Sequence, residues 1–160
     1  MIAVRIKQIK QFMNMLFNSG SFDTFTLEEA AIKTFAAYNI DGLYEKDFFD
    51  VDDINRAAAF DDPYTPWKLL KPYCRDLIKG THTPIFMKFV LHGDPALFTD
   101  PAQLSGVKAL ILIIKFENTG LTLTTGTSMK EFIPDSDIDR LWDAEVKKFL
   151  TSLNAEYEEL

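Results

Sequence analysis

Two rhythms of apolar residues alternate along this 160-residue chain and predict an α+β fold: a largely antiparallel sheet with amphipathic helices packed on it and a long C-terminal helix. Strand patterns, either alternating or continuously apolar, occupy residues 2–6, 84–91, 107–116 and 121–125. Apolar residues at helical spacing occupy 9–17, 67–79 and 138–157. Short polar turns such as Asn118-Thr119-Gly120 join neighbouring strands, which suits antiparallel pairing. No repeat, low-complexity tract or linker divides the chain, so 1–160 reads as one domain.

Residues 2–6 alternate Ile and Val with Ala and Arg and read as a short strand. Ile9, Phe12, Met13, Leu16 and Phe17 then form one helical face, and Gly20 supplies a stop just beyond it. Residues 24–40 carry two patterns at once. Thr26-Leu27-Glu28-Glu29 has the form of a capping box, and Leu27, Ala30, Ala31, Phe35 and Tyr38 fit helical spacing. Against this, Ile32-Lys33-Thr34-Phe35 and Tyr38-Asn39-Ile40 are rich in β-branched and aromatic residues. Asp41-Gly42 is a hairpin-turn dipeptide, with 43–49 as its returning strand. Local pattern alone favours helix for 26–38 without closing the choice.

Residues 41–62 hold eight acids against Lys46 and Arg56, and Asp50 is placed to cap a short helix through Ala59. Asp62-Pro63-Tyr64-Thr65-Pro66 reads as an extended turn, because proline biases its predecessor away from helix. Pro66 and Pro72 each suit a first helical position, so 67–79 is expected as a short turn feeding a helix from Pro72, stopped by Gly80. Ile85, Met87, Phe89 and Leu91 alternate along 84–91, and 93–105, with Pro95 and Pro101, is loop. Residues 107–116 are apolar on both faces, as in a strand covered on both sides. Ile138, Leu141, Trp142, Phe149, Leu150, Leu153 and Tyr157 define the final helix, capped by Asp135 or Ser136 after Pro134.

Seventeen Lys and Arg against 24 Asp and Glu leave a net charge of −7. Such a field repels phosphate backbones, so specific duplex DNA is not an expected partner. The N-terminus lacks the pattern of a signal peptide, and the longest apolar run, 109–114, falls far short of the roughly 20 residues that span a bilayer. A cytoplasmic protein without a membrane partner is expected. Cys74 is the only cysteine, which excludes an internal disulfide, and its apolar neighbours suit a small buried hydrophobe.

Few constellations suggest chemistry. Asp135, Asp137, Asp139 and Asp143 match positions 1, 3, 5 and 9 of a calcium loop, but Arg140 and Val146 stand where the turn glycine and bidentate glutamate belong. Helix capping accounts for these aspartates, and for Asp50, Asp52 and Asp53, so no metal site is assigned. His82 and His92 belong to no nucleophile or metalloprotease motif. Thr125, Gly126, Thr127, Ser128 and Lys130 form the candidate ligand-binding tract: amides around Gly126, hydroxyls and an ammonium are the groups that cradle an anion. The same threonines equally suit the exposed face of an antiparallel strand. Lys68, Lys71, Arg75 and Lys79 share one side of 67–79 and form the candidate surface for an acidic protein partner, within a 68–88 stretch of five bases and one acid.

The segments FDTF, TFAAYNIDG, YTPWKLLKPYCRDLIKG, TPIFMKFVLHGD and LTLTTGTSMKEF, followed by LWDAEVKKFL, resemble a bacterial family of single-domain proteins of unknown function, about 160 residues long. The resemblance covers nearly the whole chain. It implies a cytosolic protein with no assigned activity, cofactor or catalytic residue, and it implies strand rather than helix for 24–40. The resulting order is also similar to the duplicated βαβββ unit of DNA sliding clamps, from which the long final helix and the acidic balance depart.

The expected function is a non-catalytic protein-interaction or ligand-binding module, with no cofactor. One alternative is an enzyme whose site is assembled from distant residues around His92, Asp94 and Thr125. A second is a clamp-like nucleic-acid-associated protein. A pocket joining a histidine to carboxylates favours the enzyme, and a broad open face favours the module. Strand 107–116 points to a homodimer. Val107, Ala109, Ile111 and Ile113 lie on one side and Leu110, Leu112, Ile114 and Phe116 on the other, so helices on one side cover only one set. The rival is cover from within, by the helix from Ser136 lying opposite the helix from Ile9.

Overall fold

The computed structural model describes residues 1–48, 62–98, 104–132 and 137–160. In chain order they form β1 (Ala3–Ile6), α1 (Ile9–Asn18), β2 (Thr26–Lys33), β3 (Ala37–Asp41), β4 (Thr65–Pro66), α2 (Trp67–Ile78), β5 (Phe86–His92), β6 (Val107–Glu117), β7 (Gly120–Met129), α3 (Ile138–Ser152) and β8 (Tyr157–Glu159). The strands make one antiparallel sheet of eight in the order β3-β2-β5-β6-β7-β1-β8, with β4 paired to the start of β2. The α+β class is the one the two apolar rhythms predict.

The three α-helices among the described residues lie on one face. The register sets Phe89 beside Ile114 and Leu123, and Leu91 beside Leu112 and Thr125, so these residues share a side. Phe17 of α1 meets Phe89 ring to ring at 5.7 Å, and Trp67 of α2 meets it at 5.5 Å. The Trp67 indole N–H donates to the Leu16 carbonyl at 3.0 Å, joining the two helices. From α3, Asp143 accepts a 2.5 Å hydrogen bond from Thr125, and Phe149 packs against Phe22 and Phe25. The core is this single layer between sheet and helices. Cover of the second face by α3 is therefore not what forms, because the aromatic contacts of Phe149 and the hydroxyl of Thr125 draw α3 to the side that α1 already occupies.

Several elements differ from their sequence readings. The 26–38 segment is strand rather than helix, as the resemblance implies, but it is two strands and not one: β2 and β3 form a hairpin whose turn is at 34–36, closed by Thr34 N–H on the Ala36 carbonyl at 3.0 Å, and not at Asp41-Gly42. Helical spacing in β2 comes from a bulge between Leu27 and Glu29. One extra residue puts Leu27 and Ala30, three apart, on the same buried side, which imitates a helix in the sequence. Among the described residues 43–48 make no returning strand, only a bridge from Leu43 to Tyr64 and a single turn at Lys46–Phe48.

Helix α2 starts at Trp67 and runs through Pro72 rather than starting there, because Trp67 and Cys74 anchor it fully buried on either side of the proline. The final helix stops at Ser152. Asn154 takes a left-handed φ of 55°, and the chain reverses so that Tyr157 pairs with Ile6 in β8 instead of extending the helix. The expected caps Asp135 and Ser136, with Pro134, and the acidic helix from Asp50 lie outside the described residues; Asp137 precedes α3 without a side-chain cap bond. No helix among the described residues is long and apolar enough to cross a membrane.

Candidate functional site

Opposite the helices, the strands present a second surface. Register rows place Glu29, Val90, Ile113, Thr124 and Ala3 side by side, and Ala31, Lys88, Lys115, Thr122 and Arg5 in the next row. Val90 is buried there, while Ile111 and Ile113 are half-buried. Three ion pairs border this apolar strip: Lys88 to Glu29 at 3.3 Å, Lys115 to Glu117 at 3.1 Å and Arg5 to Glu158 at 3.3 Å. Toward the β2–β3 end the face dips into a groove of about 720 Å³, lined among others by Glu28, Glu29, Asp41, Tyr64, Phe86 and Lys88.

His92, the last residue of β5, opens onto this face because it pairs with Ile111 and sits one residue past Leu91 of the core. Its side chain is 7% exposed and is held at both nitrogens: Nδ1 lies 2.7 Å from Asp62 Oδ2 and Nε2 lies 2.7 Å from Glu28 Oε2. The β2 bulge brings Glu28 here by adding a residue that turns its carboxylate to the His92 side. Asp62 is fixed by the Thr26 hydroxyl and the Tyr64 amide, which both donate to its Oδ1 at 2.9 Å. The Tyr64 ring stands edge-on to the imidazole with centroids 5.0 Å apart.

Charge and hydrogen bonding agree in direction. Burial opposes a charged imidazole, but the hydrogen bonds and charges of Asp62 and Glu28 together outweigh it and hold the His92 pKa above its ordinary value. Burial likewise opposes ionisation of Asp62, yet His92, the Tyr64 amide and the Thr26 hydroxyl hold its carboxyl below the usual carboxylate range. The Tyr64 phenol is pushed up by burial and by the negative charges of Glu28, Asp41, Asp62 and Glu29. The geometry suits an imidazolium between two carboxylates, with one N–H donor for each.

A family model described as a family of unknown function, DUF5721, matches residues 15–158. The chain belongs to DUF5721. This agrees with the resemblance read from the segments above. Comparison with curated proteins and with solved structures finds no match.

In this DUF5721 member the residues singled out by sequence fall in separate places. Thr125, Gly126, Thr127 and Ser128 are extended within β7 and Lys130 follows it, so successive side chains point to opposite faces and no curved amide cradle forms. Thr125 and Thr127 face the helices and donate to Asp143 and Asp139, whereas Gly126 faces the other way beside Ile111. His92 and Thr125 are therefore on opposite sides of the sheet, and Asp94 caps the turn Pro95–Leu97 by accepting from the Ala96 amide at 2.8 Å. The enzyme constellation of His92, Asp94 and Thr125 is not assembled.

Of the basic residues on α2, Lys71 is bound to Asp23 at 2.7 Å and to the Ser19 carbonyl at 2.9 Å. Arg75 donates to Asn18 and Lys68 is exposed, while Lys79, just past the end of α2, pairs with Asp76. Among the described residues, Lys71 and Arg75 are thus tied to the end of α1 and the following loop. Of the calcium-like spacing, Asp139, Arg140, Asp143 and Val146 lie inside α3 and Asp137 just precedes it. Sequence reasoning missed Glu28, Asp62 and Tyr64. The proline after Asp62 marked a turn, but no local signal linked it to a histidine 30 residues away.

Proposed function

We propose that this chain is a non-catalytic, cytoplasmic interaction module that pairs with a second copy of itself through the face of its sheet opposite α1, α2 and α3. The observation that carries the reading is one-sided helix packing among the described residues: α1, α2 and α3 share a face, leaving the half-buried Ile111 and Ile113 beside the buried Val90 at the centre of the other. An apolar centre with a polar rim is the anatomy of a protein interface. The rim carries both signs, through Lys88, Lys115 and Arg5 with Glu29, Glu117 and Glu158, so a two-fold arrangement can set opposite charges against each other. The His92 cluster does join a histidine to carboxylates, but with both ring nitrogens engaged it offers no free lone pair to act as a base. Cys74, buried and unpaired, suits a reducing compartment.

Light scattering during size exclusion tests the pairing. The mass of two chains is expected at micromolar concentration, with Ile113→Glu reducing it to one chain while leaving the circular dichroism spectrum unchanged. The mass of one chain at every concentration of the natural sequence overturns the reading, whether the face is covered from within or by another protein.

A further inference from the structure

We propose that Glu28, His92 and Asp62 form a proton-operated clasp: with the imidazole charged, it ties the β2 bulge and the 62–66 segment to β5, and with the imidazole neutral, Glu28 swings away into the adjoining groove while Asp62 stays.

Counting donors leads to this conclusion. An imidazolium carries two N–H groups, and here each points at a carboxylate 2.7 Å away. A neutral imidazole has one N–H and one lone pair, so it can satisfy only one of the two carboxylates and turns its lone pair toward the other. The two partners are unequal. Asp62 is 4% exposed and has two further donors on its other oxygen, from Thr26 and Tyr64. The Glu28 side chain is 36% exposed and lines the groove of about 720 Å³, so solvent can take over from the imidazole. Loss of the proton therefore leaves Nδ1–H on Asp62 and frees Glu28.

Other charged groups near the ring bias the balance without replacing either partner. Glu29 extends from the same strand and is paired with Lys88; Asp41 and Tyr64 lie along the groove; Asp94 follows in the chain; Lys108 of β6 lines the small cavity on the ring's other side. The acids among them favour the charged ring and Lys108 opposes it. The upward displacement of the His92 pKa places opening on the alkaline side of about 6.5. Opening changes the groove in two ways: an uncompensated Glu28 carboxylate enters it, and the Nε2 lone pair of an Asp-oriented histidine becomes reachable.

The test is an NMR titration of the full chain, following the two histidine rings, the Glu28 side-chain carbon and the Tyr64 amide from pH 5 to 9. His92 is expected to titrate above about 6.5, with the Glu28 and Tyr64 signals moving in the same step. Glu28→Gln keeps an acceptor but removes the charge, and is expected to lower the His92 midpoint by about one unit or more. A His92 midpoint at or below about 6.5 overturns the proposal, as does a Glu28 signal that stays still while the ring titrates. An unchanged midpoint in Glu28→Gln also overturns it. The natural-sequence titration needs no variant to fold, and it is read whether the chain is a monomer or a dimer, so failure of the pairing reading does not affect it.

Discussion

Replacing Gly42 by alanine is expected to destabilise the fold by about 3 kcal/mol, taking about 1 kcal/mol for each of three hydrogen bonds. Gly42 does not sit at a turn; it lies against the β2 bulge. A Cβ at this position would stand 1.7 Å from the Leu27 carbonyl oxygen and 2.7 Å from its carbon. Those are backbone atoms inside a ladder, so no side-chain rotation relieves the overlap and the two strands must separate. Separation breaks the Gly42 N–H bond to the Glu28 carbonyl and both bonds that Thr65 makes to the Gly42 carbonyl, all at 2.8 Å. For a chain of this size the loss corresponds to a fall in melting temperature of about 6–12 °C. The assay is thermal and urea denaturation followed by circular dichroism. Gly126→Ala is the control, since its Cβ would meet only Ile111 Cβ at 3.8 Å, an ordinary contact. Because the same backbone seats Glu28 against His92, Gly42→Ala should also lower the His92 titration midpoint. A folded Gly42→Ala protein that loses less than about 1 kcal/mol would show that the bulge adjusts freely, and the account of how Glu28 is aimed would fail.

Three other outcomes follow from particular residues. The β6–β7 turn holds Asn118 and Thr119 at φ of 49° and 64°; left-handed backbone costs an L-residue roughly 1–2 kcal/mol, so Thr119→Gly should gain about 1 kcal/mol in denaturant titration. Burial pushes the Cys74 thiol up to about 12, so native protein should react with a thiol reagent only once denaturant is added. Stability should pass through a maximum with pH. The Asp62 contribution is present above about 3.9 and lost as pH falls through its lower folded value; the His92 contribution is present below about 6.5 and lost as pH rises through its higher folded value. Urea midpoints measured across pH should show both limbs, and His92→Gln should flatten the alkaline one.

What this sequence determined by itself is whatever depends on spacing within one element. The face of α1 follows from Ile9, Phe12, Met13, Leu16 and Phe17, three of which are buried. The alternation of Met87, Phe89 and Leu91 and the two-sided run from Val107 give β5 and β6, and Asn118-Thr119 gives the turn between β6 and β7. These patterns are local, because neighbouring side chains on one helix or strand meet the same layer. Tertiary structure decided what depends on a partner. Leu27 and Ala30 look helical until the pairing with Leu91 and Phe89 reveals a bulge between them. Gly42 looks like a turn residue until Leu27 is seen against it. Tyr157 fits the period of the last helix, yet β1 offers an open edge with which it can pair. The candidate site is the extreme case, since Glu28 and Asp62 lie 64 and 30 residues from His92 in the chain. Only the tertiary fold sets each carboxylate 2.7 Å from the ring: the β2–β5 pairing brings the bulge beside His92, and the 62–64 segment leading into β4 carries Asp62 there.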